Sequence, residues 1–181
     1  MAAALALWLV AHTAPASADL RVNDLEIYLN DHDVTVHVVL LGTIPPSFHE
    51  GLHSGIPAHV RYTVELWQYN RLWRDALVRS VTVERQLAYN VVTKEYKVVS
   101  LKGESRGPHS TRDLRDAQRV LSEVQGLKLG PASSLDPAEV FYVRVHAVSA
   151  LNGENTFVTR MAGTAEQTMR QSDFRTIQRV Q

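Results

Sequence analysis

Residues 49–59 of the chain, HEGLHSGIPAH, form its densest group of potential metal ligands. His49, Glu50 and His53 fit the H-E-x-x-H pattern, in which two histidines one helical turn apart bind zinc and the glutamate acts as a general base. His59 stands where one branch of these peptidases places its third ligand. The segment therefore predicts, as one alternative, a zinc metallopeptidase with Glu50 as catalytic base and His49, His53 and His59 as ligands.

The residues around this motif favour a structural role instead. The peptidase branch has glycine three places after the second histidine, where this chain has Ile56. Pro57 then begins a strand, and its extended backbone carries His59 about 10 Å away from the helix. Ser47 and Glu50 also form a capping-box pattern, which engages the Glu50 carboxylate and opens a helix of about two turns. We therefore expect no cofactor here, with zinc binding as the alternative.

The composition limits the classes of function. The chain has 181 residues, 19 basic and 19 acidic residues, and no cysteine. The absence of cysteine excludes a disulfide framework, a thiolate metal site and a cysteine nucleophile. The balanced charge gives no reason to expect a nucleic-acid partner. The length suits one domain with a substantial core.

The first 18 residues, MAAALALWLVAHTAPASA, differ from the rest of the chain. They contain no charged side chain and pair an apolar run with the small residues Ala16-Ser17-Ala18. This combination is typical of a secretory signal peptide, and cleavage would fall before Asp19. We therefore expect residues 1–18 to be a signal peptide, or alternatively a retained anchor, and residues 19–181 to form a single β-rich exported domain. We expect no transmembrane span in the mature chain.

Strand patterns dominate the mature chain. Leu20–Leu29 is predicted to be a strand, Val34–Leu40 alternates between apolar and polar residues, and Ala58–Trp67 does so over a longer stretch. A short helix ends at Gly55, and a second helix is predicted from about Ser110 to Gln125. The pattern predicts a mainly β fold, either an antiparallel β-sandwich or a curved meander sheet, with two inserted α-helices.

Four further predictions concern connections and the C-terminus. Asn70-Arg71 is predicted to be a two-residue hairpin turn with Trp67 opposite Arg74. Lys128–Pro137 is predicted to be a loop. Thr164–Gln171 could be helical, and Phe174–Val180 is predicted to be a closing strand.

Two surfaces are candidates for binding. The hairpin ELWQYNRLWRD combines aromatic residues with arginine, both of which are enriched at protein interfaces. Its candidate interaction residues are Trp67, Tyr69, Arg71, Trp73 and Arg74. The alternative is that Trp73 packs over the end of the sheet. A small apolar or lipid ligand could instead bind between the sheet and the helix Leu114–Val124.

Several segments in order resemble a known family. They are a helix ending in SGIP, the strand pair around RYTVELWQYNRLWRD, the segment LAYNVVTKEYKV, and a helix after a polar loop. Together they resemble the domain of unknown function 4390 family of exported bacterial proteins, over roughly Leu20–Val148. The resemblance carries over no catalytic residues, because none is assigned in the family, and it implies an association with two-component signalling. We therefore expect a non-enzymatic binding module of the cell envelope, in the periplasm or otherwise outside the cytoplasm, with a possible envelope protein as partner.

Overall fold

A computed structural model describes residues 19–30, 32–155, 157–173 and 175–176. No helix in these ranges is long and apolar enough to cross a membrane. The strands are β1 Arg21–Asn30, β2 Asp33–Leu41, β3 Ala58–Gln68, β4 Ala76–Asn90, β5 Glu95–Lys102, β6 His109–Thr111, β7 Glu123–Pro131, β8 Val140–Leu151, β9 Ala165–Gln171 and β10 Arg175–Thr176. The α-helices are α1 His49–His53, α2 Leu114–Ser122 and α3 Phe157–Met161, and 3-10 turns occupy Pro46–Phe48 and Ala132–Ser134.

The strands form two antiparallel sheets. The small sheet has the order β1-β2-β7. The large sheet has the order β10-β8-β3-β4-β5-β6, with β9 also paired to β8. The described fold is therefore mainly β with two antiparallel sheets and a few helices, which confirms the predicted fold class.

One hydrophobic core lies between the two sheets. Alternate residues of β2 and of β3 are buried and belong to the same cluster, because successive side chains of a strand point to opposite faces. The members from these two strands are Val34, Val36, Val38, Leu40, Ala58, Val60, Tyr62, Val64 and Leu66. The alternation predicted for both strands is confirmed, and it defines a core face and an outer face of the large sheet.

The region after residue 122 differs from the prediction. Helix α2 ends at Ser122, and β7 begins at the next residue and runs to Pro131, where a loop was predicted. Val124, Leu127 and Leu129 are buried, although two register shifts against β2 break their simple alternation. Gly126 lies inside this strand at a positive φ of 62°. The predicted helix end at about Gln125 is therefore wrong, and the predicted loop Lys128–Pro137 is wrong over Lys128–Pro131, whereas its remaining residues connect β7 to β8.

The C-terminal region also contains a correction. Ala165–Gln171 forms β9 against β8, so the predicted helical alternative for Thr164–Gln171 is wrong. Arg175–Thr176 pairs with β8 as a short closing strand. The remainder of the predicted strand Phe174–Val180 lies outside the described residues.

Candidate functional site

The helix α1 that carries the H-E-x-x-H motif is short and is held by its apolar side. It has five residues and follows directly on a 3-10 turn, and Phe48 of that turn and Leu52 of the helix are completely buried. Gly55 has a φ of 91° and follows the helix as predicted. The predicted capping box is wrong, because the helix has no side-chain cap and the Ser47 hydroxyl donates to the carbonyl of Gly163 instead (2.6 Å). The Glu50 carboxylate is therefore not engaged as a cap.

His53 faces two tyrosines on the core side of the large sheet. Its Nε2 atom lies 2.9 Å from the Tyr96 hydroxyl. Its ring meets the Tyr89 ring edge-on with the centroids 5.1 Å apart, and the two tyrosine rings are 4.8 Å apart. The His49 and His53 ring centroids are 6.5 Å apart. This arrangement anchors the end of α1 to β4 and β5.

His59 lies on the outer face of the same sheet. It is on β3 between the buried residues Ala58 and Val60, so its side chain points away from the core. Its Nδ1 atom is 3.7 Å from the Glu84 carboxylate, without a hydrogen bond. Of the residues described here, no three His, Asp or Glu side chains are grouped to hold a metal ion. The structure thus places His53 and His59 on opposite faces rather than around one metal position.

The connection between β3 and β4 is a loop rather than a two-residue turn. The strands pair through Gln68 and Ala76, so residues 69–75 form the loop and the predicted pairing of Trp67 with Arg74 is wrong. The Asn70 side-chain oxygen accepts hydrogen bonds from the backbone N–H groups of Leu72 (3.0 Å) and Trp73 (3.2 Å). Such a bond replaces a backbone turn bond and fixes the local conformation. We call residues 69–75 the Asx loop.

The second half of the Asx loop is fixed to the large sheet through Asp75. The Asp75 carboxylate accepts hydrogen bonds from the Asn70 backbone N–H (3.0 Å) and the Tyr142 hydroxyl (2.8 Å). The bond from Asn70, the bond from Tyr142 and the charge of Arg144 hold the pKa of Asp75 below its usual value despite some desolvation. Asp75 therefore stays ionised and keeps the loop attached at neutral pH.

Trp67 packs against the residues that hold the Asx loop to the large sheet. Its ring stacks on Tyr142, with centroids 6.4 Å apart and planes 7° apart. The Arg144 guanidinium lies 4.9 Å from the Trp67 ring centroid, within the range of a cation–π contact. The Trp67 Nε1 atom donates to Glu65 (2.8 Å). Trp67 is half-buried and acts as a support of the loop rather than as part of its exposed tip.

The tip of the Asx loop is exposed and apolar. Leu72 is 90% exposed and Trp73 is 81% exposed. Arg71 and Arg74 flank them and are also exposed, and Tyr69 is exposed at the base of the loop. Four of the five predicted interaction residues, Tyr69, Arg71, Trp73 and Arg74, thus lie together. The alternative that Trp73 packs over the sheet end does not match its exposure.

The most buried charge among the described residues belongs to Arg85, which the sequence pattern did not predict as a functional or structural centre. Arg85 on β4 is fully buried between the large sheet and α2. Its guanidinium donates to Glu104 (2.5 and 2.8 Å) and to the carbonyl oxygens of Val120 (2.6 Å) and Glu123 (2.7 Å). The Tyr62 hydroxyl, whose pKa is raised by burial, donates to the Leu121 carbonyl beside it. These bonds satisfy the free carbonyls at the end of α2.

A cleft lies beside α2 rather than beneath it. Ala117 and Leu121 are fully buried against the sheets. At the outer side of the helix, a cleft of about 380 Å³ separates it from the end of β2. The residues that line the cleft are Val39, Leu40, Leu41, Gly42, Thr43, Ile44, Arg115, Gln118, Arg119, Ser122 and Glu123. The cleft is mainly apolar and has two arginines one helical turn apart at its rim.

The comparisons with known proteins identify the family. The family model described as Domain of unknown function (DUF4390) matches residues 17–152. This match covers most of the chain and confirms the resemblance, so the chain belongs to this family. No curated protein and no solved structure matches the chain.

Proposed function

We propose that this member of the DUF4390 family is an exported binding module of the bacterial cell envelope, and that it binds a protein partner through the tip of the Asx loop. The single observation that carries the proposal is the exposure of Leu72 and Trp73 side by side. Contiguous exposed apolar side chains mark interaction sites on soluble proteins. The signal-peptide pattern of residues 1–18 supports export.

The chemistry of the tip suits a protein contact. Tryptophan and arginine are the residues most enriched at the energetic centres of interfaces, and Trp73 lies between Arg71 and Arg74 on either side along the chain. The Asn70 and Asp75 bonds hold the tip in place before any partner arrives. A contact surface that is already ordered loses less conformational entropy on binding. The family resemblance points to a two-component sensor as one candidate partner.

Quantitative affinity purification from envelope extracts tests the proposal. We expect Trp73→Ala to lose a specific partner that the wild type retains, with unchanged thermal stability. The matched control is Val92→Ala, because Val92 is 85% exposed in the turn at the other end of β4. If Trp73→Ala and Val92→Ala both retain every partner, the proposal is wrong.

A second candidate function is the binding of a small ligand in the cleft beside α2. The volume of about 380 Å³ lies at the low end for ligand sites. Its apolar lining and the arginines Arg115 and Arg119 at its rim fit an apolar molecule with an acidic head, such as a fatty acid. Thermal shift with a series of fatty acids tests this function. We expect Leu41→Trp, which fills the cleft, to abolish a shift seen with the wild type, and no shift with any chain length would remove this candidate.

A further inference from the structure

The strand β4 has a stretch with only one neighbour. All of β3 pairs with β4, over the β4 residues from Ala76 to Leu87. In contrast, β5 pairs with β4 only from Glu84 onward. At Thr82 the chain near Gly103 lies against the carbonyl of β4. Among the residues described, the segment Ala76–Val81 therefore has a strand on one side and none on the other. We call Ala76–Val81 the open edge.

The hydrogen-bond pattern shows which groups of the open edge face outward. The Tyr69 N–H donates to the Val140 carbonyl, so odd-numbered residues at this end of β3 bond to β8 and even-numbered ones bond to β4. Leu66 therefore exchanges bonds with its partner Arg79, and Val64 does so with Val81. It follows that the N–H and C=O groups of Ser80, between these two partners, point away from β3 to the open side.

The side chains along the open edge extend the exposed tip of the Asx loop. Every residue from Ala76 to Ser80 is exposed. Leu77 is 49% exposed and Val78 is 41% exposed. Exposed apolar side chains therefore occur both on the loop tip, at Leu72 and Trp73, and on the strand edge that follows it, at Leu77 and Val78. An unpaired edge with exposed apolar side chains is a template for an added strand.

The charge of this region favours a partner over a second copy of the chain. Residues 69–81 contain three arginines, Arg71, Arg74 and Arg79, against one acidic residue, Asp75, which is already bonded to Asn70 and Tyr142. Pairing two copies along this edge would bring like charges together.

We infer that the open edge accepts an extended, acidic segment of a partner protein as an additional strand, with Trp73 packing over that segment's apolar side chains. This inference rests on the proposed function and names the binding mode of the same surface. The strand would gain main-chain hydrogen bonds at Ser80 and charge contacts with Arg74 and Arg79. Alternate apolar and acidic residues are the pattern that such a strand would carry.

Selection from a display library of random linear peptides tests the inference. The full mature chain is the target, and peptides that also bind Trp73→Ala are removed. We expect enrichment of peptides that alternate apolar residues with Asp or Glu. Their affinity should fall as salt is raised, because charge contacts at an exposed surface are screened. Enrichment of peptides without this pattern, or binding to anionic lipid vesicles with no peptide enriched, would overturn the inference.

Two variants at one position separate strand addition from loop binding. Ser80→Pro removes an N–H group that points to the open side and leaves the bonds to β3 in place, whereas Ser80→Ala keeps that N–H group. We expect Ser80→Pro to bind the selected peptide about tenfold more weakly, which corresponds to about 1.4 kcal/mol, and Ser80→Ala to bind normally. If Trp73→Ala weakens binding and Ser80→Pro does not, the loop proposal stands and strand addition is wrong.

Amide hydrogen exchange keeps the test decisive if Ser80→Pro does not fold. On the wild type, the selected peptide should slow exchange at the amide of Ser80. The amide of Val92, at the exposed turn, serves as the unaffected reference. Unchanged exchange at Ser80 in the saturated complex would contradict strand addition directly.

Discussion

Replacement of Arg85 by methionine should lower the free energy of unfolding by about 3 kcal/mol. Arg85 is fully buried, and its removal leaves the carbonyls of Val120 and Glu123 without their donor. Each orphaned buried acceptor costs about 1–3 kcal/mol, and removal of one partner of a buried ion pair costs about 3–5 kcal/mol in total.

The lower end of that range applies here for two reasons. The Glu104 side chain is 18% exposed, so its carboxylate can regain water when Arg85 is absent. Methionine also buries an apolar chain of similar length in the vacated space. A loss of about 3 kcal/mol corresponds to a fall in Tm of about 6–12 °C for a chain of this size.

Urea unfolding followed by tryptophan fluorescence and circular dichroism measures this loss. The matched control is Arg79→Met, because Arg79 lies on the same strand but is exposed. A surface change of this kind should stay within about 0.5 kcal/mol. If Arg85→Met is less than about 1 kcal/mol below the wild type, Arg85 does not stabilise the α2 terminus as we argue.

The same ion pair predicts a pH dependence. Burial disfavours ionisation of Glu104, but the hydrogen bonds and charge of Arg85 outweigh it and hold the pKa of Glu104 below its usual value. A depressed pKa gives stability that is fully present above the unfolded value of about 4.3 and is lost as pH falls through the folded value. The stability difference between the wild type and Glu104→Gln should therefore be present at pH 7 and shrink progressively below about pH 4. A difference that is constant with pH would contradict this assignment.

Three further predictions follow from other contacts. Trp67→Ala should lower the free energy of unfolding by about 2 kcal/mol, which is less than for a full core truncation because Trp67 is half-buried. It should also speed amide exchange at Leu72. By comparison, Trp73→Ala should change the free energy of unfolding by no more than about 0.5 kcal/mol. In zinc titrations, His59→Ala should leave any affinity of the His49–His53 pair unchanged while His53→Ala removes it, and equal losses would contradict their placement on opposite faces. The hydrogen bonds of Arg119 and then His109 lower the pKa of Asp116 to about 2, so the stability they give is present above pH 3.8 and is lost as pH falls towards 2. NMR titration should show the Asp116 midpoint rising in Arg119→Ala, and an unchanged midpoint would contradict this cause.

Strands with a regular apolar–polar alternation were predictable from the sequence. Elements that break this alternation were not. The apolar alternation of Val34–Leu40 and of Ala58–Leu66 predicted two strands and their buried faces. The β7 strand was missed because Gly126 and Gly130 are typical of loops and the register shifts break its alternation. Arg85 was missed because an arginine at an alternate position usually indicates a solvent face, whereas here α2 and Glu104 satisfy it.

For the candidate sites too, local residue patterns were predictable from the sequence, whereas features that depend on the tertiary structure were not. The motif around His53 satisfies a local spacing rule, but a zinc site also depends on which face of the sheet His59 occupies. The composition of the hairpin predicted an interaction surface; the structure places Tyr69, Arg71, Trp73 and Arg74 on one exposed loop, and their role in binding stays a prediction. The exposure of Leu72 and the open edge of β4 depend on loop length and strand pairing, which residue types alone do not specify.

Site-specific photo-crosslinking in the native host tests the central claim most directly. A photoreactive residue at Leu72 reports on the loop tip, and the same residue at Val92 reports on an equally exposed turn at the other end of β4. We predict a crosslink to one defined envelope protein from Leu72, none from Val92, and loss of the Leu72 crosslink when Trp73→Ala is added. Equal crosslinking from both positions, or none from Leu72, would contradict the assignment of the Asx loop as the contact surface.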